Sequence, residues 1–169
     1  MNALERFRQE KDEAFRLDPD SPLDLEQRRS FTGLRYFPPN PGLDLMLEIE
    51  ELEPKTEIDI QTTAGDPRRY ERFGYVTFEV DGETVRLTVF RAGGGFFLPF
   101  ADALAGKETY DSGRYVEPEP MPDGRMRIDF NLAYNPYCAY SPRWSCPITP
   151  AENRIHMPIR AGEMAFEHR

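Results

Sequence analysis

The chain has 169 residues, of which 39% are hydrophobic and 30% charged, and its formal net charge at pH 7 is -9. This composition predicts a globular chain with a hydrophobic core and excludes an intrinsically disordered one. Because an acidic chain repels phosphate backbones, we expect no nucleic-acid partner. No apolar run approaches the roughly 20 residues that cross a bilayer, so we expect no membrane segment. The charged first residues lack the apolar core of a signal peptide, which predicts a cytoplasmic protein.

Two helices are predicted at the N-terminal end of the chain. Asn2 and Glu5 have the spacing of a capping box and open a predicted helix over 2–16. Ser21, followed by a proline, is typical of the start of a second, short helix. Residues 1–29 are therefore predicted as a helical segment that covers one end or one edge of a sheet.

From residue 30 onward, hydrophobic residues alternate with polar ones, which is typical of strands with one buried face. The dipeptide Asp81-Gly82 predicts a tight hairpin between two of these strands. We predict one domain over 1–169 with a β domain at 30–165. Its fold class is mainly β (α+β): an antiparallel β barrel or sandwich with one or two N-terminal helices. The predicted strands lie around 43–49, 58–60, 76–80, 85–89, 96–100, 126–130 and 155–159.

The segment 129–153, here called the aromatic loop, has the most unusual composition. It holds both cysteines, the only tryptophan, three tyrosines and four prolines. A long loop this rich in rings and rigid turns is either a cap folded over a core or a binding site. If Met126, Ile128 and Phe130 face the core, then Arg127, Asp129 and Asn131 lie on the opposite face of the preceding strand, which is either solvent surface or part of a site.

Six motifs run through the chain in a characteristic order: FTGLRYFPP (31–39), FFLPF (96–100), GKETY (106–110), GRY (113–115), DFNLAYNPYCAYSPRWSCP (129–147), and ENRI with IRAGE (152–163). On these residues the chain resembles the prokaryotic Domain of Unknown Function family 1684, from about residue 22 onward. The family has no established activity, so the resemblance implies signature positions but no reaction. Two departures from its pattern are Asp111-Ser112, where small glycines are expected, and His156, where an apolar residue or proline is expected. The implied signature positions are Arg114, Tyr115, Asp129, Asn131, Tyr134, Asn135, Cys138, Tyr140, Cys146, Glu152 and Asn153.

Our first hypothesis is a small-molecule-binding β domain with a pocket near 106–115 and 129–153. The rings would form apolar walls, and the polar side chains would bind a small polar or anionic ligand. The asparagines have a competing structural interpretation, in which their amides pin the loop by bonding backbone groups. We expect no cofactor, because the glycines of 91–95 lie between two strands and not between a strand and a helix. The candidate ligand-binding residues are Arg114, Tyr115, Asn131, Tyr134, Asn135, Tyr140 and Asn153.

Two alternatives stay open. The first is a cofactor-free hydrolase- or isomerase-like enzyme that uses Asp129 or Glu152 as its acid/base, with Arg114 stabilising developing negative charge. Such an enzyme requires one of these carboxylates to face a cavity. The second is a structural or homodimer-forming module without a small-molecule site, whose aromatic loop is folded over the core or buried between subunits.

The two cysteines have four interpretations. With His156 they offer three zinc ligands, but the spacing matches no standard zinc motif, so the metal prediction is none. A disulfide would close the short loop, although a cytosolic chain disfavours a permanent one. A reactive thiol needs a depressed pKa. The favoured interpretation is that Cys138 and Cys146 are two small buried side chains that fix the loop.

Overall fold

The computed structural model describes residues 1–168 and has two helices followed by two antiparallel sheets. The elements are α1 (Ala3–Leu17), α2 (Leu25–Ser30), β1 (Asp44–Leu47), β2 (Glu50–Ile60), β3 (Arg68–Val80), β4 (Glu83–Ala92), β5 (Gly95–Phe100), β6 (Arg114–Val116), β7 (Glu119–Pro120) and β8 (Met126–Asp129). One sheet has three strands in the order β1–β8–β7, and the other has five in the order β2–β3–β4–β5–β6. This confirms the mainly β prediction in its sandwich form, since the two sheets of residues 1–168 do not close into one barrel.

Both α-helices begin at a capping box, and the sequence predicts the one that opens α1. The Asn2 side chain accepts the backbone N–H of Glu5, as predicted for α1. The N-cap of α2 is Asp24, so the prediction of Ser21 was wrong. The reason is that the Ser21 hydroxyl is buried and donates to the carbonyl of Phe15, which ties down the end of α1. Within residues 1–168, no helix is both long enough and apolar enough to cross a membrane.

The hairpin between β3 and β4 turns at the predicted position. Asp81 and Gly82 have φ angles of 52° and 79°, the left-handed backbone that a two-residue type I′ turn requires. Across this turn the alternating apolar residues of both strands face the same side. They form the largest part of the hydrophobic core.

The main core lies between the two sheets and joins them. Met126, Ile128 and Phe130 are 3%, 0% and 0% exposed, so their predicted burial is confirmed. The Phe130 ring lies 5.4 Å from the Phe78 ring and 5.1 Å from the Phe100 ring. A second, smaller cluster packs α1 against the aromatic loop through Phe15, Leu23, Phe31 and Tyr140.

The strand predicted at 155–159 is wrong. This segment bends at 156–157 and lies outside the two sheets. The Ile155 N–H donates to the Ala101 carbonyl, and the Met157 carbonyl accepts the Ala103 N–H. Its apolar alternation reflects packing against the core, because Ile159 is 0% exposed while Arg160 is exposed. The alternation of burial is therefore confirmed, but the segment has isolated backbone hydrogen bonds and not the regular ladder of a strand.

Candidate functional site

The aromatic loop is folded tightly against the rest of the chain. It contains three short 3-10 turns, at Phe130–Leu132, Tyr137–Ala139 and Ala151–Asn153. Between them, single bridges join Tyr134 to Tyr115 and Pro147 to Thr62. The loop is thus built from local turns fixed at intervals by longer-range contacts.

Asn131 joins this loop to the segment before β1. Its side-chain oxygen accepts the backbone N–H of Asn40 at 2.8 Å, and its Nδ2 donates to the Asn40 carbonyl at 2.8 Å. Because β8 ends at Asp129, Asn131 turns inward and does not share the exposed face of Arg127. This part of the expected strand phase was wrong. The amide mimics a backbone pair, as in the pinning interpretation.

Asn153 has an equivalent position at the other end of the loop. It is 0% exposed and accepts the backbone N–H of Thr88 at 2.8 Å. Its Nδ2 donates to the carbonyls of Thr88 and Pro99 at 2.9 and 2.8 Å. A buried amide with three such bonds is satisfied within the protein and fixes the loop to β4 and β5.

Arg114 is buried rather than exposed to a ligand. It lies in β6, is 1% exposed, and has the Asp102 carboxylate 3.6 Å from its Nη2. Burial lowers its pKa to about 10, so the guanidinium stays charged at neutral pH. Its N–H groups donate at 2.5 to 3.0 Å to the carbonyls of Ile159, Ala161 and Glu163. Arg114 therefore holds the C-terminal segment against the sheet.

A second buried polar network surrounds the Glu163 carboxylate, which is 1% exposed. It accepts the Tyr140 hydroxyl at 2.6 Å and the Asn135 backbone N–H at 3.2 Å, and it forms an ion pair with Lys11. Burial, followed by the negative charge of Glu163, raises the pKa of Tyr140. Asn135 also donates from Nδ2 to the Met164 carbonyl at 2.9 Å. The network joins α1, the aromatic loop and the C-terminal segment.

The two candidate carboxylates each have partners within the chain, and these partners differ. Glu152 forms an ion pair with Arg72 at 2.9 Å and accepts the Thr88 hydroxyl at 2.8 Å, both from the five-stranded sheet. Asp129 ends β8 of the other sheet and accepts the backbone N–H and the Nδ2 of Asn131. Each carboxylate is thus bonded to its own set of partners, and the structure does not pair the two acids with each other.

An open groove of about 350 Å³ runs beside the aromatic loop, and we call it the aromatic groove. It brings together Tyr115, Tyr134 and Asn135 of the candidate residues, whereas Asp129 and Glu152 do not line it. The Asn135 side-chain oxygen is buried and has no hydrogen-bond partner among residues 1–168. The lining residues are Arg68, Tyr115, Tyr134, Asn135, Pro136, Tyr137, Trp144, Ser145, Cys146 and Pro147.

Arg68 is the groove residue that sequence reasoning missed. It begins β3 and donates from Nη2 to the Ser145 carbonyl at 2.9 Å, which places its guanidinium beside the loop. It lies outside the family motifs and far from the loop in sequence, so no local pattern pointed to it. It gives the groove a cation that Arg114 does not provide.

The cysteines are both free, and their environments differ. Cys146 is 7% exposed, whereas Cys138 is half-buried. The backbone N–H of Cys138 donates to the Cys146 sulfur at 3.3 Å, and the Tyr110 oxygen lies 3.6 Å from the Cys138 sulfur. His156 is exposed, and residues 1–168 contain no group of three His, Cys, Asp or Glu side chains placed to hold a metal. The zinc interpretation therefore lacks a ligand set in this part of the chain.

Comparison with known proteins gives a family but no activity. A search of curated proteins finds no match. The solution NMR structure of an uncharacterized protein from Haloarcula marismortui is 38% identical and has a TM-score of 0.72, covering 95% of this chain and 91% of that one. The model of the protein family of unknown function DUF1684 matches residues 29–164. The chain therefore belongs to this family, DUF1684.

Proposed function

We propose that the protein binds a small molecule with a flat apolar body and an anionic group in the aromatic groove. The observation that carries this proposal is the convergence of four rings on one groove that also has an arginine at its wall: Tyr115, Tyr134, Tyr137 and Trp144, with Arg68. Small-molecule sites are typically concave and mostly apolar, with a few polar groups that fix orientation. A volume of about 350 Å³ lies at the lower end of the range for such sites.

The rings form an edge-to-face arrangement that suits a flat ligand. The Tyr115 and Tyr134 rings lie 5.8 Å apart with an interplanar angle of 85°, and the Tyr137 and Trp144 rings lie 5.2 Å apart at 66°. Such pairs present both faces and edges to their surroundings and bind flat apolar groups well. The hydroxyls of Tyr115 and Tyr134 donate to Pro147 and Glu117, which fixes both rings in place. Two walls of the site are thus formed before a ligand arrives.

Arg68 supplies the charge for the anionic group. A guanidinium carries five N–H donors, and its contacts with Ser145 and Tyr70 leave several of them for a carboxylate or phosphate. Arg114, Asn131, Asn153 and Tyr140 then act indirectly, because they hold the loop that forms the groove. We propose no catalytic role for Asp129 or Glu152.

The experiment is a fluorescence titration, since Trp144 is the only tryptophan of the chain and lines the groove. The probes are benzoate, phenylacetate and phenyl phosphate, each with an uncharged amide or alcohol of the same shape. We expect saturable quenching by the anions and, in Arg68→Ala, about tenfold weaker anion binding with little change for the uncharged analogues.

The matched control is Arg69→Ala. Arg69 is next in the chain, is exposed and pairs with Glu57 and Asp59 outside the groove, so its loss should leave anion binding unchanged. If Arg69→Ala weakens binding as much as Arg68→Ala, the effect is one of net charge and the proposed site is wrong. An absence of saturable quenching with every probe also contradicts the proposal.

A further inference from the structure

Beyond ligand binding, we propose that Cys138 and Cys146 form a redox-active thiol pair. In this pair Cys138 reacts with a hydroperoxide, and Cys146 then converts the product into an intramolecular disulfide. The inference is independent of the proposed ligand, because it rests on the contacts of the two sulfurs.

The first argument is proximity. The Cys146 sulfur lies 3.3 Å from the backbone nitrogen of Cys138, which is one bond away from the carbon that carries the Cys138 side chain. A disulfide requires the two Cβ atoms to be about 3.8 Å apart. Two free cysteines can reach this distance only where their backbones are already close. The Cys146 backbone is held in this place, since it donates to the Thr63 hydroxyl at 3.1 Å and its carbonyl accepts the Thr63 N–H at 3.0 Å.

The second argument is the different exposure of the two thiols. Cys138 is half-buried, whereas Cys146 is only 7% exposed, at the wall of the aromatic groove. A two-step oxidation needs this division, in which an accessible thiol meets the oxidant and a protected thiol attacks the oxidised sulfur.

The third argument is the polar environment of Cys138. The Tyr110 hydroxyl lies 3.6 Å from its sulfur, and hydrogen bonding with the Cys146 thiol and then with Tyr110 lowers its pKa to about 6 against the opposing effect of burial. The hydrogen bond with Cys138, together with burial, raises the pKa of Cys146. The directions of the two pKa shifts favour Cys138 as the thiolate of the pair and Cys146 as its thiol. The thiolate is the nucleophilic form of cysteine.

The chemistry balances in two steps. The Cys138 thiolate attacks the terminal oxygen of the hydroperoxide, the O–O bond breaks, and the departing alkoxide takes a proton to leave as an alcohol, so Cys138 becomes a sulfenic acid. The Cys146 sulfur then gives up its proton and attacks the Cys138 sulfur, and the S–O bond breaks to release water. Two thiols lose two electrons and the peroxide gains them. Two equivalents of a low-molecular-weight thiol restore the pair by exchange and leave as their own disulfide.

The test is to treat the purified protein with one equivalent of hydrogen peroxide and to measure the intact mass and the peptide map. We expect loss of two hydrogen atoms, a Cys138–Cys146 cross-linked peptide, and recovery of the starting mass with dithiothreitol. In Cys146→Ser the sulfenic acid on Cys138 should persist, because no second thiol can attack it, and should be trapped by dimedone. Cys138→Ser should show no dimedone adduct and no cross-link.

Two controls keep the result clear. Ser145→Ala changes the neighbour of Cys146 without touching either thiol and should oxidise as the wild type does. The wild-type map alone decides the question if a cysteine variant does not fold. An unchanged mass after peroxide, a disulfide only between two chains, or dimedone labelling of Cys146 in preference to Cys138 would each overturn the proposal.

Discussion

Replacing Arg114 by methionine should destabilise the fold strongly, although the sequence predicts Arg114 as a ligand-binding residue. The change keeps an apolar stem of similar length but removes the bonds to three backbone carbonyls and leaves the Asp102 carboxylate without its cation. Removing one partner of a buried ion pair costs about 3–5 kcal/mol, and uncapped buried carbonyls act in the same direction. Because these effects share one site, they do not add fully, and we expect about 3–5 kcal/mol in total.

The assay is thermal and urea unfolding followed by circular dichroism. For a chain of this size, each kcal/mol corresponds to a Tm change of about 2–4 °C, so Arg114→Met should melt roughly 6–20 °C below the wild type. The control is Arg160→Met, whose exposed side chain pairs only with the exposed Glu108 and should cost less than about 1 kcal/mol. Similar melting of both variants and the wild type would refute the structural role of Arg114.

Three further predictions concern the aromatic loop and its supports. Tyr140→Phe removes only a hydroxyl that donates to a buried carboxylate, and it should cost about 1–3 kcal/mol in urea unfolding; wild-type stability would contradict the buried network. The alkylation rate of Cys138 by iodoacetamide should rise as the pH increases through about 6 and then level off, because its lowered pKa makes it a thiolate above that value. Tyr110→Phe should move this midpoint upward, and a midpoint near 9 in the wild type would refute the assignment. Gly162→Ala places a methyl group 2.7 Å from two backbone carbonyls at a φ of 78° and should lower Tm clearly more than Gly124→Ala, which has a similar φ but no atom within 4 Å; equal effects would show that the close approach does not matter.

Local sequence patterns predicted the local structure well. The capping box of Asn2 and the Asp81-Gly82 turn each depend on residues within a few positions of one another, so their physical cause lies within a short stretch of sequence. The burial of alternate residues in β3, β4 and β8 follows from the same reasoning, since side chains alternate across a strand whatever its partner.

Partners distant in sequence decided the rest. The 155–159 segment alternates like a strand, but the Ile159 N–H donates to the Asp102 carboxylate and its carbonyl accepts from Arg114, so side chains satisfy groups that a strand would pair. Asn131 and Asn153 lie in a loop whose composition is typical of a binding site. In the structure they bond to backbone groups 91 and 65 residues away. No pattern within the loop could distinguish those roles.

The aromatic groove also depends on a contact between residues that are distant in sequence. Three of its four rings lie close together in one loop, where the sequence predicts a site, whereas Arg68 reaches the groove from β3 and bonds to a residue 77 positions away. A single sequence shows which residues are chemically unusual. The fold determines which of these residues form hydrogen bonds within the protein and which line a surface that a ligand can reach.

The most direct test of the central claim is a ¹H–¹⁵N NMR titration of the labelled protein with a set of small aromatic acids. We predict saturable shifts concentrated on the Trp144 indole N–H and on the backbone amides of Arg68, Tyr115 and Cys146, with Arg114 and Asn153 little affected. Saturable shifts located elsewhere, or none with any of the acids, would contradict a ligand site in the aromatic groove.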